Sequence, residues 1–299
     1  MPPPIDPTAS ATRQALPDQA LIAEPATGRP AAGGRPGRVT LAVGLALLAL
    51  WLASSAAAPW LAPFPPDRTD LLAILEPPSA AHWFGTDQLG RDIFSRVLYG
   101  GRTVLAVAPA ATLLGLVLGA AIGLAAACAG RRTDEVVMRT LDAVMAFPIV
   151  VLAMLALAFL GSGTLNVILV IGLVFAPLIA RTVRASALAE ARKEYVQAAR
   201  LRGEGMLFVM AAEILPNVRG PLIVEGTLRL GYAVFTSATL GFLGLGVQPP
   251  TPDWGLMVSE NQGLLVSAPW TILFPSLAIA LVVVGIGLAA DGLKEFLEP

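Results

Sequence analysis

A chain of 299 residues that is 56% hydrophobic and only 14% charged lies far from soluble globular usage, where about a quarter of residues are charged. A net charge of −1 gives no basic surface for nucleic acid, a single cysteine (Cys128) rules out an internal disulfide, and a single histidine (His82) argues against a His-based metal or catalytic centre. The class that remains is an all-α, polytopic membrane protein.

Residues 1–37 are rich in Pro, Ala, Gly and Thr, have no helical period, and read as a disordered tail. The first apolar run, Val39 to Leu61, is too far in and too long for a cleavable signal peptide and long enough to span a bilayer. Arg29, Arg35 and Arg38 precede it, which by the positive-inside rule places the N-terminus in the cytoplasm. Residues 38–101 are therefore expected to form one span plus an extracytoplasmic segment. In that segment Thr86 or Asp87 is expected to cap a short helix ending near Tyr99, with Asp92 and Arg96 paired at i, i+4. A catalytic role for Asp87 and Asp92 has no accompanying nucleophile and base, and capping with ion pairing accounts for them more simply.

Residues 102–299 hold five further expected spans. The second, Thr103 to Ala127, carries Gly115, Gly119 and Gly123 at four-residue spacing, a seam that would allow close helix packing. An arginine-bearing inside loop leads to a third at Leu141 to Leu160, kinked at Pro148, and a fourth follows at Leu165 to Ala180. The fifth runs from Pro221 to Gly246 and the sixth from Trp270 to Ala290, and the loop between them contains Asp253 and Glu260 but no Lys or Arg. The charge bias agrees with six spans and both termini in the cytoplasm.

Between the fourth and fifth spans lies a polar island, residues 189–217. A helix is expected from Ala189 to Ala199, with Tyr195, Ala198 and Ala199 on one small apolar face. Gly203 and Gly205 turn the chain, and a second short helix, Met206 to Leu215, stops at Pro216. Such a pair presents a compact surface to a soluble partner.

Gln197-Ala198-Ala199, Gly203 and Ile214-Leu215-Pro216 resemble the "EAA" coupling loop of ABC-importer permease subunits. Glu194-Tyr195-Val196-x-Ala198-Ala199-Arg200 looks like the dipeptide/oligopeptide/nickel branch in particular. So do Gly85-Thr86-Asp87-x-x-Gly90-Arg91-Asp92-x-x-Ser95-Arg96, the Leu240–Gly255 string, and Asp291-Gly292-Leu293. The resemblance implies a type I importer core of six helices forming half of a translocation pathway for peptides in a bacterial cytoplasmic membrane. Relatives handling nickel chelates or glutathione share these motifs. It also implies as partners a second permease subunit, two ATP-binding subunits and an extracytoplasmic substrate-binding protein. Contacts to the ATPase would come from Glu194, Gln197, Ala198, Ala199, Gly203 and Pro216. ATP and Mg would sit on those partner subunits and no cofactor on this chain, which contains no Gly-x-x-x-x-Gly-Lys-Ser/Thr loop.

Three positions depart from the family pattern. Ala211-Ala212-Glu213 stands where a His or basic residue is usual, Gln197 replaces the first Glu of the triplet, and Ser237 stands where relatives often carry Glu. In the fifth span, Glu225 and Arg229 sit at i, i+4 inside an apolar run. Ionisable groups there must pair or face a water-filled cavity. They are thus either a mutually neutralising structural pair or, with Ser237, part of the translocation path. An ion-driven carrier or channel would need mid-span coupling carboxylates and often a repeat. Glu225 is the only such carboxylate. An intramembrane enzyme would need a polar catalytic set within the spans, and none is present.

Overall fold

The computed structural model describes residues 36–297, so the tail expected over residues 1–37 lies outside the described residues except for Pro36 and Gly37. Among the described residues no strand forms. Eleven helices follow one another: α1 (Pro36–Ala56), α2 (Ala58–Leu61), α3 (Ile93–Cys128), α4 (Arg131–Met145), α5 (Ile149–Leu160), α6 (Thr164–Glu190), α7 (Glu194–Leu201), α8 (Met206–Phe208), α9 (Arg219–Phe242), α10 (Trp254–Asn261) and α11 (Trp270–Leu297). A π-helical turn, Val209–Ile214, continues α8. α1, α3, α6 and α11 are each long and apolar enough to cross a membrane alone; α4 with α5, and α8 and its π turn with α9, are bent pairs that raise the count to six.

The centre is the contact of α3 with α6, the most extensive in the molecule. The Gly115/Gly119/Gly123 stripe makes it possible. A Cβ placed on Gly119 would lie 2.8 Å from the Ala176 carbonyl oxygen, and one on Gly123 would lie 2.6 Å from that of Ala180. Glycine thus lets two backbones meet where any side chain would push them apart. Val107, Ala111, Ile171, Phe175 and Ile179 fill the surrounding core. α1 and α11 pack together beside it, and α9 rests on α3, α6 and α11.

Several expected boundaries move. The short helix ending near Tyr99 and the second span are one helix, α3, so the division expected between residues 101 and 102 falls inside it. Gly100 and Gly101 do not break it, because they are its close-approach positions: a Cβ at Gly100 would strike the Trp254 indole, and one at Gly101 the Ser55 hydroxyl. Its N-cap is Asp92, not Thr86 or Asp87; the carboxylate accepts from the Ser95 amide at 2.8 Å. The third span is not a kinked helix over Leu141 to Leu160. α4 starts ten residues earlier and meets α5 at 87° beside Pro148. α4 is amphipathic, with Leu141 buried and Arg131, Arg132 and Arg139 exposed. The fourth helix continues past Ala180 to Glu190, and a helix, α10, lies within the loop before the sixth span.

The candidate coupling loop and an ion pair in the fifth helix

The helix expected over Ala189 to Ala199 is broken. α6 ends at Glu190, and α7 starts anew at Glu194 with Lys193 extended at its N-cap. Propensity gives no reason to stop among Ala191, Arg192 and Lys193; packing does. Val196 and Ala199 must turn toward Val209 and Ile214, and all four are buried in one apolar cluster. The apolar face of α7 is therefore Val196 with Ala199, and not Tyr195, Ala198 and Ala199, since Ala198 is exposed. Gly203 adopts φ 82°, a left-handed conformation that closes α7, and its amide donates to the Arg200 carbonyl at 3.0 Å.

Polar contacts fasten this hairpin to α6. The Tyr195 hydroxyl donates to Glu190 Oε1 and lies 3.5 Å from the Glu213 carbonyl. Lys193 Nζ reaches Glu190 Oε1 at 2.8 Å, and Gln197 Nε2 donates to the Ala191 carbonyl at 2.8 Å. Burial at this joint and the Glu190 carboxylate push the Tyr195 phenol up to about 12, so it remains a donor at neutral pH. On the other side of the hairpin, Arg202 lies 3.6 Å from Glu213.

The expected contact residues separate accordingly. Glu194, Ala198, Gly203 and Pro216 are exposed. Ala199 is fully buried within the hairpin, and the Gln197 amide is turned back on α6. Sequence reasoning missed the most exposed apolar side chains of the loop: Leu201 at 89% and Leu207 at 79% relative exposure. Their signal was available, since leucine at the rim of a Gly-rich turn in a polar island has no core to join.

In α9, Arg229 embraces Glu225, with Nε at 2.7 Å and a second guanidinium nitrogen at 2.6 Å from Oε1. Both side chains are largely buried, and the guanidinium lies over the rings of Phe175 and Tyr232. Ser237 is buried eight residues further along the same helix, about 12 Å away by helical rise. The fold brings Glu225 and Arg229 together and leaves Ser237 apart.

The segment before α3 is built on charge. The expected Asp92–Arg96 pair does not form. Arg96 binds Asp87 Oδ2 at 2.5 Å, Arg91 binds the same oxygen at 2.7 Å, and both guanidiniums reach Glu260 of α10. Asp92, occupied as the cap, takes His82 Nδ1 at 2.9 Å on its other oxygen. Asp87 is thus used in ion pairing and Asp92 in capping, and this network fastens the segment to the loop preceding α11. Nearby, Asp253 caps α10 through the Leu256 amide, and its burial pushes its carboxyl up to about 6. No group of three or more His, Cys, Asp or Glu side chains able to hold a metal occurs among the described residues.

The fold is a helical membrane body with a compact hairpin slung between α6 and α9. Residues 103–299 match the model of the family described as "Binding-protein-dependent transport system inner membrane component". The chain is 40% identical over 257 residues to the dipeptide transport system permease protein DppC of Alkalihalophilus pseudofirmus, covering 86% of this chain and 84% of that one. It is 38% identical to the di/tripeptide transport system permease protein DppC of Pseudomonas aeruginosa, covering 86% of each chain. It is 39% identical to the glutathione transport system permease protein GsiD of Pectobacterium atrosepticum, covering 87% of each. Among solved structures, one of inward-facing conformations of the MetNI methionine ABC transporter shares the fold. Its TM-score is 0.57 at 19% identity, over 68% of this chain and 97% of that one. The protein belongs to this family: it is an inner-membrane, multi-pass permease subunit of an ABC importer, in the dipeptide/oligopeptide branch.

Proposed function

We propose that this chain forms half of a peptide translocation pathway, with the loop of residues 190–217 in the cytoplasm and both termini on that side. A second permease subunit completes the pathway. Two ATP-binding subunits carry the ATP and Mg, and an extracytoplasmic binding protein delivers the cargo. The observation that carries this reading is the hairpin. It joins two spans, holds itself together by its own apolar seam, and leaves Leu201, Leu207, Ala198 and Glu194 exposed at its tip. Closure of the ATPases on ATP then moves the tip, and the spans shift between two arrangements by differential binding.

The test is reconstitution of the whole importer in proteoliposomes. A labelled dipeptide should enter only with ATP, the ATPase subunits and loaded binding protein present. Uptake driven by an ion gradient in vesicles lacking the ATPases would overturn this reading in favour of a secondary carrier. Glutathione and a nickel chelate belong in the same assay as competitors, since relatives of near-equal similarity carry dipeptide and glutathione names.

Glu225 and Arg229 are proposed to line this pathway beside the charged ends of the cargo. Glu225→Gln should lower uptake several-fold with complex assembly intact; unchanged uptake would leave them a structural pair.

A further inference from the structure

The three residues between α6 and α7 are the weak point of the connection between the loop and the membrane body. Arg192 and Lys193 are exposed, and backbone hydrogen bonding across the break is sparse: the Lys193 amide donates to the Glu190 carbonyl at 3.0 Å and the Gln197 amide to the Lys193 carbonyl at 3.2 Å. A push on the tip of α7 would bend such a hinge before it moved a 27-residue helix. Side chains stiffen it. Lys193 contributes little, because a half-exposed pair at i, i+3 is screened by water. The Tyr195 hydroxyl is different. It donates to a carboxylate on the last residue of α6 that is only 8% exposed, a charge-assisted bond in a partly dry site. The same oxygen lies against the Glu213 carbonyl, so one atom sits where α6, α7 and the π turn meet. Beyond Glu190, α6 is locked along its length to α3 by the glycine seam. A displacement that reaches Glu190 therefore reaches the centre of the molecule.

We infer that Tyr195 is a positioning residue of the importer: its hydroxyl, clasped on Glu190, makes the break at residues 191–193 rigid, so that movement of the loop is delivered into α6. Gln197 takes part from the other side of the break by binding the Ala191 carbonyl, and its amide serves the joint rather than the ATPase surface. This inference rests on the importer reading proposed above.

Tyr195→Phe removes one oxygen and leaves the packing of the ring. In the reconstituted importer it should leave assembly and basal ATP hydrolysis within about twofold of wild type. Peptide moved per ATP should fall about tenfold, the lower end of what one charge-assisted hydrogen bond is worth. Glu190→Ala should do the same, and the double variant should be no worse than either single one. Glu190→Gln keeps an acceptor for the hydroxyl and should restore most of the transport-to-hydrolysis ratio. Wild-type ratios in Tyr195→Phe would overturn the inference. So would additive losses in the double variant, or a loss of assembly and hydrolysis together, which would mark a purely fold-holding role. A second measurement needs no cargo. Amide hydrogen exchange over residues 190–197 in the assembled complex should rise in Tyr195→Phe and stay at the wild-type level in Glu190→Gln. Unchanged exchange in Tyr195→Phe sinks the clasp whatever the protein carries, whereas a wild-type complex that moves no peptide on ATP sinks the importer reading instead.

Discussion

The α3–α6 seam and the loop of residues 190–217 are one continuous stretch of structure held together by opposite means. In the seam, glycine at each close approach brings backbone near backbone, and the side chains of Leu114, Phe175 and Ile179 fill what remains, so there is little free space. In the loop, a small apolar cluster of Val196, Ala199, Val209 and Ile214 and a handful of polar contacts hold the hairpin, and its largest apolar side chains face outward. Gly203 and Gly205 have nothing within 4 Å of a notional Cβ, whereas Gly119 has backbone at 2.8 Å. The difference teaches where this molecule can yield. The seam must move as a body, and adjustment is confined to the joints that fasten the loop.

The sharpest way to break the comparison is to put the same side chain into both regions. Gly119→Leu forces a branched side chain onto the Ala176 carbonyl and Ile179, and overpacking of this kind costs about 1–3 kcal/mol or more. The yield of detergent-stable protein should collapse. Gly205→Leu, in open space, should leave the yield and melting temperature unchanged. Equal losses at both positions would show that the seam is not as tight as described.

Next in size is the charged network before α3. Asp87→Asn removes the nearer carboxylate from two buried guanidiniums and leaves both to Glu260 alone, and breaking a buried pair costs on the order of 3 kcal/mol. Thermal unfolding of the purified chain should shift down by several degrees. Glu260→Gln, at the more exposed edge of the network, should cost less.

A smaller effect depends on pH. The Asp253 carboxyl is raised to about 6 by burial, above its ordinary value of about 3.9. The folded chain therefore binds more protons than the unfolded chain between about pH 4 and 6. Its contribution to stability is full below that window and is lost as the pH rises through it. Asp253→Asn keeps an oxygen to cap α10, and should flatten this part of the stability profile measured by thermal melts across the window. A profile identical to wild type would count against the buried carboxyl as its source.

The smallest effect on the fold is expected at the tip. Leu201→Ser touches a side chain that packs against almost nothing, and stability should stay within about 0.5 kcal/mol of wild type. Co-purification of the ATPase subunits should nevertheless weaken. Retained capture would move the docking surface elsewhere on the hairpin.

The sequence alone determined the class and the broad layout. Six apolar runs, the polar island, the turn at Gly203, the second short helix from Met206 and the four-residue glycine spacing were all legible, because each depends on local composition or period. The i, i+4 spacing of Glu225 and Arg229 left a mutual pair and a place on the translocation path as alternatives, and the two side chains do pair. What tertiary structure decided was every choice among partners that local rules leave equal. Asp92 could pair with Arg96 or cap α3; Arg96 is taken by Asp87 at 2.5 Å, with Glu260 of α10 reaching both arginines, and Asp92 is left to cap. Ala191-Arg192-Lys193 could continue a helix, but burial of Val196 and Ala199 against Val209 and Ile214 required a break. Gly100 and Gly101 could have ended a helix, but Trp254 and Ser55 filled the space they left. In each case the deciding term is a contact between residues far apart in the chain, whose free energy exceeds the few tenths of a kcal/mol by which local propensities differ.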